Sequence, residues 1–304
     1  MFQNCNIFNE FCNFQENIRQ NFGILRTKFP NLLLCVPNSL KTCATNYSMN
    51  RQIPAGKKVY FASDFHLGGP DHEKSLVRER RIVAWLESIR HNAEVIFLVG
   101  DLFDFWFEYK RVVPRGFVRF LGKLAELSDA GIEIVVFLGN RDMWMTDYFE
   151  KELGIKTIRR PQIFVFNNKK FYVGHGDGLG ADDFGYKILK VVFEGKIPRF
   201  LFGRVLHPNL GMLIGQVWTK LSWRKKQTPE QFLGEEKEHL VQYAKSIETT
   251  THHDFYIFGH RHTKVDINLS LSARYINLGD WIWYNSYAIF DGEKLVLTSF
   301  QDKQ

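Results

Sequence analysis

Seven candidate metal ligands stand in five short polar loops. In chain order the loops read Asp64-Phe65-His66, Gly100-Asp101-Leu102-Phe103-Asp104, Gly139-Asn140-Arg141-Asp142, Gly174-His175-Gly176-Asp177 and Gly259-His260-Arg261-His262. Carboxylate and amide oxygens and imidazole nitrogens are donors of the kind that hold Mn²⁺, Fe or Zn²⁺. Asp64, His66, Asp101, Asn140, His175, His260 and His262 fill most of two coordination shells if one carboxylate is shared, and Asp101 is the candidate bridge. Two metals about 3.5–4 Å apart orient a water, lower its pKa and neutralise phosphoryl charge during in-line attack. The expected chemistry is hydrolysis of a phosphate ester or anhydride.

No one of these residues carries that reading alone. Asp64 could cap a helix, Asn140 could serve a turn, and a lone histidine such as His175 is more often a satisfied surface or core residue. The order carries it, because every loop follows an apolar run and loops after strand C-termini gather at one edge of an α/β sheet. His252 and His253 precede a strand instead, and they are expected to be solvated.

The elements that must position the loops follow from periodicity. Val59–Ser63, Val95–Val99 and Ile132–Leu138 read as strands, while Glu73–His91 and Phe117–Leu127 have helical spacing, with Gly131 as a C-cap. This alternation is βαβ grammar. Ile163–Val173 reads as two strand halves around an Asn167-Asn168 turn, and Phe255–Phe258, Arg274–Leu278, Tyr287–Phe290 and Leu295–Phe300 supply later strands. Residues 183–247 read as helical throughout and are expected to form an insertion over the site.

With 304 residues, 45% apolar and 15% aromatic, the chain can form one large core carrying an inserted subdomain. The net charge of +7 points to an anionic partner without choosing among nucleic acid, lipid surface and phosphorylated substrate. No run approaches the roughly 18 apolar residues of a membrane span, and no export signal is evident, so the expected location is cytoplasmic. Cys5, Cys12, Cys35 and Cys43 all lie in the first 48 residues and match no zinc or redox spacing. Residues 1–48 are Asn- and Phe-rich and aperiodic, and Met49 is the expected start of a domain spanning 49–304.

The ordered set Asp-x-His, Gly-Asp-x-x-Asp, Gly-Asn-x-Asp, His-Gly-Asp and Gly-His-x-His resembles the calcineurin-like metallophosphoesterase superfamily over residues 57–300 or so. The resemblance implies a four-layer α/β/β/α sandwich. It implies two divalent ions, Mn²⁺ foremost, with Asp64, His66, Asp101 and His262 around one and Asp101, Asn140, His175 and His260 around the other. Asp101, Arg141 and Asp142 are the expected catalytic residues, Asp142 supporting the ligands from behind. Arg141 stands where many members have a histidine that could act as general acid. Arginine cannot donate a proton at neutral pH but can clamp a phosphate bidentately, which suits a leaving group needing little protonation.

Within the superfamily, Gly-Asn-Arg-Asp together with Gly-Asp-Leu-Phe-Asp-Phe-Trp and the run from His175 to Tyr186 resembles the UDP-2,3-diacylglucosamine diphosphatases of lipid A synthesis. That resemblance implies a lipid-linked UDP-sugar substrate cleaved to UMP and lipid X, with contacts from Asn140, Arg141, Asp183 and Tyr186. Residues 183–226 hold nine Lys or Arg against Asp183 and Glu194, interleaved with aromatic and aliphatic residues. Such a cap can hold acyl chains and touch anionic headgroups, with Lys225 and Lys226 as candidate contacts and peripheral association with the inner membrane as the expectation. Packing of the same apolar stripe onto the sandwich is the structural alternative. Other readings are an enzyme of the superfamily acting on another nucleotide sugar, dinucleotide or phosphodiester, and a non-catalytic scaffold. No nucleic acid is expected, because the basic residues cluster with aliphatic ones rather than along an open groove.

Overall fold

The computed structural model describes residues 48–179, 195, 200–225 and 228–301. Twelve strands appear among the described residues, in two six-stranded sheets. The first sheet runs β1 (Met49–Arg51), β6 (Gln162–Phe166), β7 (Lys169–Val173), β8 (Phe255–Phe258), β10 (Arg274–Leu278), β9 (Lys264–Asn268). The second runs β12 (Leu295–Ser299), β11 (Ser286–Phe290), β2 (Lys58–Ala62), β3 (Ala93–Val99), β4 (Glu133–Phe137), β5 (Lys156–Ile158). Central strands β2, β3 and β4 are parallel, as are β7, β8 and β10, so their C-termini lie at one edge of each sheet.

Continuous apolar runs such as Val95–Val99 arise because both faces of each sheet are buried. One core lies between the sheets, with Phe61, Phe97 and Phe137 of one meeting Phe164, Phe171 and Ile257 of the other. Alternate residues of the second sheet, Tyr60, Ile96 and Val136 among them, pack instead against α1 (His72–Ile89) and α2 (Val118–Asp129). On the opposite side, Tyr256, Phe258 and Tyr275 cover Leu240, Val241 and Ala244 of α5 (His239–Glu248). The four-layer α/β/β/α sandwich is therefore the observed architecture.

Local signals explain the boundaries. Asp71 accepts from Lys74 N at 2.8 Å and starts α1. Glu79 on α1 accepts from the first amides of α2, Arg119 N at 3.0 Å and Phe120 N at 3.1 Å, which joins the two helices of that layer. Asn167 and Asn168 take positive φ in the two-residue turn of the β6–β7 hairpin. Short elements with little periodicity, β1, β5, β9 and α3 (Tyr148–Glu152), were not expected from the sequence.

The segment expected to be helical over 183–247 is corrected in two respects. A π-turn at Leu201–Val205 leads into α4 (Pro208–Lys225), but residues 228–238 form turns and irregular chain around Pro229 and Gly234. Moreover, α5 is a sandwich layer, since its apolar face is fully buried on the first sheet. Gly211 and Gly215, one helical turn apart, let α4 lie close on the loop after β3: a Cβ would meet Tyr109 Oη at 2.0 Å and the Phe105 ring at 2.3 Å. No helix among the described residues is long and apolar enough to cross a membrane.

Candidate metal centre

All five loops converge. The β2 and β3 loops continue their strands side by side through Asp64 N to Gly100 O at 3.0 Å and His66 N to Asp101 O at 3.0 Å. Within the first sheet, Gly259 N donates to His175 O at 3.0 Å, and across the interior Trp281 N donates to Asp64 O at 3.1 Å, which ties the two sheets' loops together. Turning each side chain inward bends the backbone sharply. Asp64, His66, Asp101, His260 and His262 all hold φ between 47° and 68°, a region that costs an L-residue roughly 1–2 kcal/mol.

Two groups of donors face one another, Asp64 with His66 and His262, and Asp64 with Asp101 and His175. His66 Nδ1 lies 2.6 Å from Asp104 Oδ1 and His262 Nδ1 lies 3.1 Å from Asp280 Oδ2. Those carboxylates place each ring's proton on Nδ1 and leave the two Nε2 atoms facing each other at 3.1 Å. Asp64 Oδ1 sits 3.3 Å from His262 Nε2 and 3.6 Å from His66 Nε2 and has no hydrogen-bond partner, while its Oδ2 accepts from Ser63 Oγ and His260 N. Three lone pairs thus converge in a buried space, an arrangement that a cation satisfies and that is repulsive without one.

The second group repeats the logic. His175 donates Nδ1–H to Val99 O at 2.8 Å, and its buried Nε2, without a hydrogen-bond partner, faces Asp101 Oδ1 at 3.5 Å. Asp101 Oδ2 lies 3.8 Å from His66 Nε2, so the two oxygens of this carboxylate reach toward both groups. His260 Nδ1 and Asn140 Oδ1 come within 3.1 Å. The electrostatics are those of a buried charge cluster. Burial opposes ionisation of Asp64 and Asp101, yet the neighbouring histidines hold both carboxyls below the usual range. Burial pushes His175 down, but Asp101 outweighs it and holds the imidazole up at about 10. For His260, burial and then the nearby His175 bring the value down to about 3. The donor set fits two divalent ions.

Asp142, expected among the catalytic residues as a support behind the ligands, bonds the loop backbone. Its oxygens accept from Leu102 N at 2.8 Å and Gly139 N at 2.7 Å, so it braces two loops, and burial followed by repulsion from Asp101 lifts its carboxyl to about 7. Arg141 donates its backbone N–H to Asp101 Oδ1 at 2.8 Å, and its Nη2 donates to Ser222 on α4. Asp183, Tyr186 and Lys226 lie outside the described residues, as does the side chain of Lys225. The expectation that His253 is solvated is overturned: it is 1% exposed, with Nδ1 3.1 Å from Tyr256 Oη, whereas His252 is exposed.

Several supporting residues were not singled out in the sequence. Asp104 receives His66 and, through its other oxygen, Trp223 Nε1 from α4. Asp280 follows β10 as Gly279-Asp280, the same strand-then-Gly-Asp signal as Asp101, and it also holds Ile282, Trp283 and Tyr284 amides. Arg261, between the ligand candidates His260 and His262, forks onto Glu238 at 3.0 and 3.3 Å and reaches Glu230 at 3.1 Å, fastening residues 228–238 beside the site.

The calcineurin-like phosphoesterase family model matches residues 57–264. A UDP-2,3-diacylglucosamine hydrolase of Porphyromonas gingivalis is 44% identical over 262 residues, covering 81% of this chain and 99% of that protein. Another of the same name from Haemophilus influenzae is 32% identical over 134 residues, 43% of this chain and 53% of its own. Among solved structures, Vps29 of Chaetomium thermophilum aligns with a TM-score of 0.39 at 10% identity, covering 79% of this chain and 85% of Vps29. The chain belongs to the calcineurin-like phosphoesterase family, and it is a metal-dependent hydrolase.

Proposed function

We propose that the chain hydrolyses the pyrophosphate bond of UDP-2,3-diacylglucosamine, releasing UMP and lipid X. Asp64, His66, Asp101 and His262 would hold one divalent ion and Asp101, Asn140, His175 and His260 the other, with Mn²⁺ the ion proposed. When bound, two such ions lower the pKa of a water and neutralise charge on the phosphoryl group. Arg141 clamps phosphate oxygens from the rim. Because its guanidinium gives up no proton at neutral pH, the site suits a leaving group that departs unprotonated, and a phosphate monoester leaving a pyrophosphate is basic too weakly to need one.

The observation that carries the reading is the seating of α4 on this centre, with Ser222 on Arg141 and Trp223 on Asp104. Before the helix, the Phe202 ring lies 4.6 Å from Phe107 and 5.1 Å from Trp144, giving an aromatic seam between cap and sandwich. A soluble phosphodiester would need the loops and Arg141 but no such seam. The P. gingivalis relative, matched over almost its full length, supports the same substrate.

Membrane contact is part of the proposal. Leu210, Leu213 and Val217 of α4 are 48%, 54% and 37% exposed at helical spacing, and the same segment carries Lys220, Arg224, Lys225 and Lys226. That pairing suits peripheral attachment to the anionic cytoplasmic face of the inner membrane. Residues 49–304 would carry the activity, the insertion within 183–247 contributing the lipid side.

The test is UMP release from UDP-2,3-diacylglucosamine with Mn²⁺, beside UDP-glucose and a chelator control. Metal-dependent release from the acylated substrate is expected. Equal cleavage of UDP-glucose would instead assign the site to nucleotide sugars at large.

A further inference from the structure

Beside Trp223 lies a cavity of about 690 Å³, within the roughly 300–1,000 Å³ of small-molecule sites. It joins the outer face of α1 to the turn after Asp280. Three indoles, Trp223, Trp281 and Trp283, line it together with three cations, Lys74, Arg78 and Arg81, and Glu73 is the one acid among the described lining residues. Trp283 is 43% exposed, so much of its ring faces open space.

The walls are built rather than incidental. Arg78 is 6% exposed and donates through Nη2 to the carbonyls of His66, at 2.6 Å, and Gly69, while its buried Nε has no hydrogen-bond partner. Its guanidinium carbon stands 5.6 Å from the Trp223 ring centre, and Trp223 Nε1 donates to Asp104. The same Asp104 receives His66 Nδ1 at 2.6 Å. One carboxylate therefore joins a wall of the cavity to a metal-ligand candidate.

The lining selects among the parts of the substrate. An acyl chain against three cations would strip their water with nothing in return. A flat heterocycle can stack on indole, and an attached phosphate or ribose meets the cations. The aromatic seam at Phe202 precedes the first residue of α4, whereas Trp223 lies in its last turn. Across 18 residues, about 27 Å of helix, the two features sit at opposite ends of the cap.

We propose that this cavity is the nucleoside monophosphate subsite, with the base against Trp283 and Trp223 and the anionic side toward Lys74 and Arg81. This rests on the substrate reading above and adds which wall takes the nucleoside half.

The experiment is calorimetric titration of the Mn²⁺-loaded full chain with UMP and, separately, with ribose 5-phosphate, which lacks the base. Wild type is expected to prefer UMP by roughly tenfold, Trp283→Ala to erase that preference, and Trp283→Phe to keep most of it. Lys74→Glu, at a side chain 73% exposed, is expected to weaken both ligands by about tenfold. Equal affinities in wild type, a preference that survives Trp283→Ala, or no effect of Lys74→Glu would overturn the proposal. Turnover of UDP-2,3-diacylglucosamine by wild type is measured alongside. No turnover, with a base preference that Trp283→Ala erases, sinks the substrate and keeps the cavity; turnover without that preference does the reverse.

Discussion

His66 and His262 show how little freedom the centre leaves to a single residue. Each ring is fixed by a carboxylate behind it, and the tautomer so chosen is the one that can bind metal. Loss of such a supporting carboxylate commonly costs about 10–100-fold in metal affinity. Asp104→Ala is expected to fall in that range, read as metal retained after dialysis against a graded chelator. Asp101→Ala removes the group that reaches both donor sets, so metal content and turnover should drop together to background. Arg141→Ala should separate them: metal content stays and turnover falls by roughly 10²–10³-fold. The ligand candidates were legible because each follows an apolar strand in a short polar loop. Asp280 obeys that rule too, but it has no second donor nearby in sequence, so spacing alone gave it no role. His253 was misread because Tyr256 and Glu248, which enclose its polar surroundings, come from other elements.

At the scale of elements, strand ends and the glycines beside them do the positioning. A Cβ on Gly259 would stand 2.5 Å from both Asp64 Oδ2 and Ser63 Oγ, against the carboxylate that the loop itself helps to orient. Gly259→Ala should therefore cost about 1–3 kcal/mol in unfolding free energy and most of the bound metal, measured by denaturant titration and elemental analysis. Helices α1 and α2 could be read within a residue or two because their apolar faces repeat cleanly. Residues 228–238 could not, because their polar, Glu-rich composition hides a loop held by Arg261 from a distant strand end. The layer to which α5 belongs was equally hidden, since its apolar stripe looks the same whether it covers a sheet or an inserted cap.

For the whole molecule, two sheets bury a common core and carry a cluster of like donors on their shared edge. Ions that bind only the folded chain stabilise it by mass action, by about 4 kcal/mol at a thousandfold excess over Kd. Chelation is thus expected to lower Tm by about 10 °C, and readdition of Mn²⁺ to restore it, in a thermal scan with and without EDTA. The alternation of strands and helices was legible, but the four-layer stacking came from the family resemblance. Strands buried on both faces read as uniform apolar runs and say nothing of which strands will be neighbours; β11 inserting between β12 and β2 is an instance.

Asp64, His66, Asp101, His260 and His262 occupy backbone conformations that glycine would take at no cost. At each of these places the chain keeps the harder residue, and only Asp64 and Asp101 return part of that cost, by accepting the His260 and Arg141 amides. A lineage released from catalysis would therefore drift toward glycine or asparagine there, losing its ions while its sandwich grew easier to form. Shape and chemistry are inherited separately in such a protein. A descendant can keep the architecture intact long after it has ceased to be an enzyme, and these five backbone angles are where that history would first be written.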